Sequence, residues 1–193
     1  NSLFLLAQWL KVKSLDRKLP VLPKLFNFIC KYSEPLRIFN NRNGIEDYDF
    51  PGSKKILQNI DFKPDIIHCH NLHSNFFDLR ALKDLSNNVP VFITLHDCWM
   101  FTGHCVYPYD CSRWQTGCYK CPYPERPIKT AKDSCKANQE RKQKIYEESK
   151  LYISTPSDWL LNMAKNSILN KSTADFRNIP NGIDQKLFQT GDK

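Results

Sequence analysis

The sequence has no apolar run approaching the roughly 20 residues that a membrane-spanning helix needs. Its first apolar cluster, Leu3 to Leu10, is short, and no small-residue cleavage site follows it. No signal peptide is therefore expected. There is no internal repeat and no low-complexity tract, which excludes solenoid and fibrous designs. No recognition motif for nucleic acid accompanies the positive charge, so charge alone would have to carry such binding. Acidic residues are scarce at one end. Residues 1–45 hold eight Lys and Arg against only Asp16 and Glu34, which is +6 of the net +8. That basic, apolar-interleaved segment could rest on an anionic membrane surface or form a solvated helix face.

What is present fits a globular protein. The 193 residues are 41% hydrophobic, enough for one domain with a sizeable core, or one domain plus part of another. Residue 1 is Asn rather than Met, as expected of a piece of a longer chain. Eight cysteines are many. Without a secretory signal a reducing, cytoplasmic setting is expected, and clustered thiols there suggest metal.

Periodicity places the elements. Helical pieces broken by Pro20, Pro23 and Pro35 are expected in 1–45, then a turn-rich link over 41–53. "PDIIHCH" (64–70) reads as a buried strand, "FFDLRALKDL" (76–85) as a helix and "VPVFITLH" (89–96) as a second buried strand. Strand, helix, strand in so short a span implies a βαβ unit and a parallel sheet. Residues 132–150 are charged and helix-prone, and an exposed helix is expected there. "LYISTPS" (151–157) reads as a third strand. Ser157 is expected to cap a helix whose apolar face is Leu160, Leu161, Ala164 and Ile168. "FRNIPNGID" (176–184) reads as a fourth strand running into an Asn-Gly turn.

Polar residues recur at the strand ends: His68 and His70, then His96 and Asp97, then Thr155 and Ser157. Ligands of open α/β sheets bind outside the carboxyl ends of the strands, so a small-molecule cleft is expected on this edge. His68 and His70 share one face. Both could meet the cleft, or both could lie under a helix. His73 is expected on the surface or in a loop.

In order along the chain, "PDIIHCHNLH", "TLHDCWMFTGHC", "C..W..GC..CP", "STPSDWL" and "IPNGID" followed by Phe188 resemble the bacterial family 4 glycosyltransferases. The resemblance covers about Asn43 to Phe188. It implies a GT-B fold, in which two Rossmann-like domains face each other across a cleft. Residues 1–180 would be a partial N-terminal, acceptor-side domain with a Cys-rich loop at 98–122. Residues 181–193 would begin the crossover to a C-terminal nucleotide-sugar domain. The fold class expected is therefore α/β, a Rossmann-like parallel sheet flanked by helices with a Cys-rich insertion.

The implied reaction transfers a sugar from a nucleotide-sugar to a hydroxyl of a carbohydrate or lipid-linked acceptor, with retention and with no cofactor required for catalysis. Polysaccharide or glycoconjugate synthesis is the implied setting, at the inner face of the cell membrane if the basic segment makes peripheral contact. The phosphate-binding groups would lie in the other domain, and this piece alone is expected to be inactive. His96 and Asp97 are the expected catalytic pair, because an imidazole there can hold a sugar hydroxyl or relay a proton. His68, His70, Gly103, His104, Thr155, Ser157, Asn181 and Gly182 complete the expected substrate-binding set. Gly182 is expected to act as a hinge, since Gly tolerates positive φ.

Cys105, Cys111, Cys118 and Cys121 form C-x5-C-x6-C-x2-C. A structural Zn²⁺ wants four such soft ligands, and "GCYKCP" has the spacing of a metal knuckle. His104 could replace one thiolate, while disulfides or free thiols are the alternatives. Cys30, Cys69, Cys98 and Cys135 are expected to be core or surface residues. Trp114 is expected in a local core, while Trp99 and Phe101 are left open between that core and a sugar face. The rival function is a zinc-stabilised, non-enzymatic binding module using the basic N-terminal surface. For nucleic acid it is thinly supported, since only Arg113 and Lys120 are basic between Cys105 and Cys121.

Overall fold

Five parallel strands in chain order make the sheet: β1 (Ser2–Leu5), β2 (Ile66–His70), β3 (Val91–Thr94), β4 (Leu151–Thr155) and β5 (Thr173–Asn178). The computed structural model describes residues 2–5, 38–46, 48–73, 76–125, 132–184 and 188. Most of the basic segment, Cys30 and the three prolines Pro20, Pro23 and Pro35 lie outside the described residues. Among the described residues, helices α1 (Ala81–Asn88), α2 (Cys135–Glu147) and α3 (Asp158–Lys165) connect β2 through β5, and residues 38–42 are also helical. Strand followed by helix followed by parallel strand is the Rossmann-like α/β arrangement expected from the sequence.

Alternation along the strands separates two faces. Ile67, Cys69, Val91, Ile93, Leu151 and Ile153 are almost fully buried. With strand order following chain order, right-handed crossovers carry the connecting helices to one side of the sheet. Leu82 and Leu85 of α1, Tyr146 of α2, and Leu160 and Ala164 of α3 join those strand residues in one core. Each buried aliphatic side chain of this layer stabilises the fold by about 1.5–3 kcal/mol. The opposite face carries His68, His70, Thr94 and Ser154, with Phe92 stacked on Tyr152 at 4.8 Å between ring centroids.

Several boundaries differ from expectation. Residues 2–5 are a strand rather than a helical piece, because they pair in register with Ile66 to Cys69. The helix expected over 76–85 begins at Ala81, not near Phe76, and runs on to Asn88. Phe77 and Leu79 are buried ahead of it, so their apolar character serves the core from a turn. Ile168 belongs to a 3-10 turn (Ile168–Lys171) after α3. Ser157 caps α3 as expected, its hydroxyl accepting from the Leu160 N–H at 3.4 Å.

The largest correction concerns α2, expected to be exposed. Cys135, Asn138, Gln139, Lys142 and Tyr146 form a buried stripe at i, i+3, i+4, i+7 and i+11. The stripe is polar because its task is to hold irregular backbone. Gln139 Nε2 donates to the carbonyls of Phe101 (2.9 Å) and Trp114 (2.7 Å), and Tyr146 Oη donates to that of Met100 (2.8 Å). Lys142 Nζ donates to the carbonyls of Trp99 (2.8 Å) and Thr102 (3.1 Å). The loop 98–122 has only two short 3-10 segments, Trp99–Phe101 and Arg113–Gln115. Its carbonyls need partners when buried, and α2 supplies them.

Candidate active site

The carboxyl edge of the sheet gathers the histidines. β2 ends at His70, and the chain turns at Asn71 with φ of 43°. Asn is among the few side chains that tolerate this left-handed conformation. The turn brings Leu72 into the core and His73 back beside the loop that follows β3. His96 and Asp97 open that loop.

Two hydrogen-bonded chains cross the edge. His70 Nδ1 lies 2.8 Å from His96 Nε2, with the rings 5.2 Å apart and nearly stacked. His68 Nε2 lies 2.7 Å from Thr94 Oγ1, which lies 2.7 Å from Ser154 Oγ. The sequence reading left open whether His68 and His70 meet a cleft or lie under a helix. Both are half-buried, and both rings lean on the same edge, 4.3 Å apart between centroids. Burial, then the charge His96 would carry, holds the His68 imidazole below its ordinary value. Burial followed by the neighbouring His68 and His96 does the same for His70. Both imidazoles are therefore neutral near pH 7.

Asp97 is committed to structure on both oxygens. Oδ1 accepts from the Trp99 N–H at 2.8 Å and Oδ2 sits 2.9 Å from His73 Nε2. His73 also packs 5.6 Å from the Trp99 ring. It lies in a loop, one of the two places expected, and is a half-buried member of the site. Its signal was the spacing "HCHNLH", in which a loop histidine follows two strand histidines. Thr94 and Ser154 were missed for a simpler reason, since single hydroxyls in strands carry no motif.

Other expected residues are placed elsewhere. Thr155 is fully buried and donates to the Ser157 carbonyl at 3.0 Å, so both serve the start of α3. Gly103 and His104 lie against the start of α2. A Cβ on Gly103 would fall 2.5–2.6 Å from Cys135 atoms. His104 Nε2 is 3.2 Å from Cys121 Sγ. Asn181 and Gly182 are exposed, and Gly182 does not use the left-handed conformation expected of a hinge.

Aromatic residues flank the same edge. Tyr107 stacks on Trp159 at 5.5 Å and meets Tyr109 edge-on at 4.6 Å. Trp159 is the second residue of α3, directly beyond the carboxyl end of β4, and it is 50% exposed. Trp99, Phe101 and Trp114 are buried instead, which assigns all three to the local core. A separate groove of about 420 Å³ between the Cys-rich loop and α2 has Lys136, Glu140 and Lys171 on its wall and none of these histidines.

None of the seven described cysteines is in a disulfide. Burial pushes Cys69, Cys98 and Cys118 up to about 12, so these are protonated and unreactive in themselves. Cys105, Cys111, Cys118 and Cys121 line one small cavity, which Cys135 and His104 also line. Among the described residues, the thiols and rings close enough to share one metal are those of His104, Cys121 and Cys135. Cys121 is the one member of the expected four-thiol set in that group. Cys135, expected to be a core or surface residue, is buried and lies in that group.

Comparison with known proteins agrees with this architecture. The family model for Glycosyltransferase Family 4 matches residues 31–187. A protein of Escherichia coli (strain K12) named as a glycosyl transferase of colanic acid biosynthesis, WcaC, is 38% identical over 77 residues. That alignment covers 34% of this chain and 18% of the relative, so the chain spans well under two thirds of the relative's length. No solved structure matches significantly. With the family model covering most of a chain built on a parallel Rossmann-like sheet, the chain belongs to glycosyltransferase family 4.

Proposed function

We propose that the protein containing this chain transfers a sugar from a nucleotide-sugar to a hydroxyl of a growing polysaccharide or glycoconjugate, and that this chain holds the acceptor. The observation that carries the reading is the His70–His96 hydrogen bond across the carboxyl ends of two adjacent parallel strands. Family membership supports the reaction class.

In the transfer, the bond from the anomeric carbon to the nucleotide diphosphate breaks and a bond to the acceptor oxygen forms. The acceptor gives up its hydroxyl proton, and the diphosphate leaves as an anion that needs electrostatic stabilisation. His96 is the residue that meets the reacting hydroxyls. Its Nε2 is engaged by His70, and Nδ1 is the nitrogen that meets the ligand. His70, neutral and half-buried, fixes the tautomer and plane of the His96 ring. Asp97 is a positioning residue that ties His73 and the Trp99 backbone to the same turn. Tyr107 and Trp159 offer exposed ring faces for a pyranose of the acceptor. Retention at the anomeric carbon is the stereochemistry expected.

The test is transfer from UDP- and GDP-sugars by the full-length protein to a polyprenyl-linked or saccharide acceptor. Product with retained anomeric configuration supports the reading. A full-length, folded protein that neither transfers nor hydrolyses any nucleotide-sugar overturns it.

A further inference from the structure

The Cys-rich loop folds back on α2 at one buried cluster. His104 is 2% exposed and Cys135 is 2% exposed. The ligand atoms of His104, Cys121 and Cys135 all lie within 4.8 Å of one another. His104 Nε2 and Cys121 Sγ are 3.2 Å apart. Tetrahedral zinc, with bonds of about 2.0 Å to nitrogen and 2.3 Å to sulfur, sets N···S near 3.5 Å and S···S near 3.8 Å. The 3.2 Å contact and the 4.8 Å limit on the other pairs admit such a site, and neither Cys121 nor Cys135 is in a disulfide.

The geometry points to a structural Zn²⁺ bound by His104, Cys121 and Cys135, which ties both ends of the Cys-rich loop to the first turn of α2. A site with an imidazole and a helix-borne thiolate differs from the four-thiol set suggested by spacing. The surroundings are built for it. Asp133 accepts from the Cys121 N–H at 2.7 Å and from the Cys135 N–H at 3.2 Å, which fixes the backbone of two ligands. Cys135 opens a 13-residue helix, so the cluster sits at that helix's first turn. Gly103 has no side chain because Cys135 occupies that space. The cluster lines a cavity of about 20 Å³, room for one ion, whose wall also carries Cys105, Cys111 and Cys118. Those wall thiols lie outside the three-residue group whose ligand atoms are within 4.8 Å of one another. The group is buried between the loop and α2 and includes none of the strand-edge histidines, so the metal would hold structure and take no part in transfer.

The readouts are independent of glycosyl transfer. Protein purified under reducing conditions is expected to contain about one zinc per chain by elemental analysis. Zinc X-ray absorption of the unaltered protein is expected to show an imidazole shell beside sulfur, and this needs no variant to fold. Cys135→Ser and His104→Asn are expected to lower the zinc content to background, while Cys69→Ser leaves it in place. A metal-free protein, an all-sulfur zinc shell, or folded Cys135→Ser and His104→Asn proteins that keep full zinc each overturn the assignment.

Discussion

Lys142 is completely buried, and its ammonium donates to Glu46 Oε1 at 3.0 Å. The same nitrogen sits 3.7 Å from the Trp99 ring centroid and holds two loop carbonyls. Burial pulls the lysine below its ordinary value, while Glu46 acts in the opposite direction. This one side chain joins α2, the segment around Glu46 and the loop that carries the site.

Removing it strands a part-buried carboxylate and two carbonyls. Lys142→Ala is expected to cost about 3–5 kcal/mol, the range for breaking a buried pair from one side. Urea unfolding followed by tryptophan fluorescence measures it. A loss under about 1 kcal/mol would place Lys142 among ordinary surface pairs.

His96→Asn keeps a polar side chain but removes the imidazole. Transfer is expected to fall about 10²–10⁴-fold, the range for loss of a positioned acid or base. Asp97→Asn is expected to act indirectly, by loosening His73. Its rate deficit should therefore come with a lower melting temperature, whereas His96→Asn should melt like the parent. Thermal melts beside initial rates separate the two.

Trp159 is half exposed and makes its ring contact with Tyr107. Trp159→Ala is expected to raise KM for the acceptor about two- to tenfold with little change in kcat, matching the energy of one aromatic stacking contact. An unchanged KM across acceptors would remove the ring from the binding surface.

Stability should depend on pH through His68 and His70, both held below their ordinary value. The unfolded chain takes up these protons near pH 6.5, the folded chain only at lower pH. Between those points the unfolded state binds more protons, so stability rises with pH. It is complete above about pH 6.5 and is lost as pH falls through the folded values. Melting temperatures at several pH values between 5 and 8 test this, with a His68→Gln, His70→Gln double variant expected to flatten the curve. A parent curve that is already flat would contradict the burial argument.

Gly103→Ala places a methyl group against the backbone of Cys135. The close approach of loop and helix must open, at a cost of about 1–3 kcal/mol. Chemical denaturation gives the number. A neutral substitution would show that the contact has slack.

The strand readings at 64–70, 89–96 and 151–157 were legible because Ile67, Ile93 and Ile153 belong to short β-branched runs bounded by turn residues. The edge location of His68, His70, His96 and Asp97 followed from the same runs, since a parallel sheet presents its carboxyl ends together. Helix α2 was misread because its buried stripe is Asn138, Gln139, Lys142 and Tyr146, residues that periodicity counts as polar surface. Cys135 is buried, within the core-or-surface reading, but its place beside His104 and Cys121 was not legible. Sequence spacing links Cys118 to Cys121, but it carries no information on which helix start will fold against them.

Sequence alone settled the α/β class and the strand-end histidines, because hydrophobic alternation and strand length are local properties of the chain. Tertiary structure decided the partners. Residues 26 positions apart, His70 and His96, meet only because two strands pair in one register. Lys142 and Glu46, 96 positions apart, meet only because an irregular loop needed its buried carbonyls satisfied by a neighbouring helix. Register and polar satisfaction are properties of the packed molecule, and the candidate site and the proposed metal cluster both rest on them.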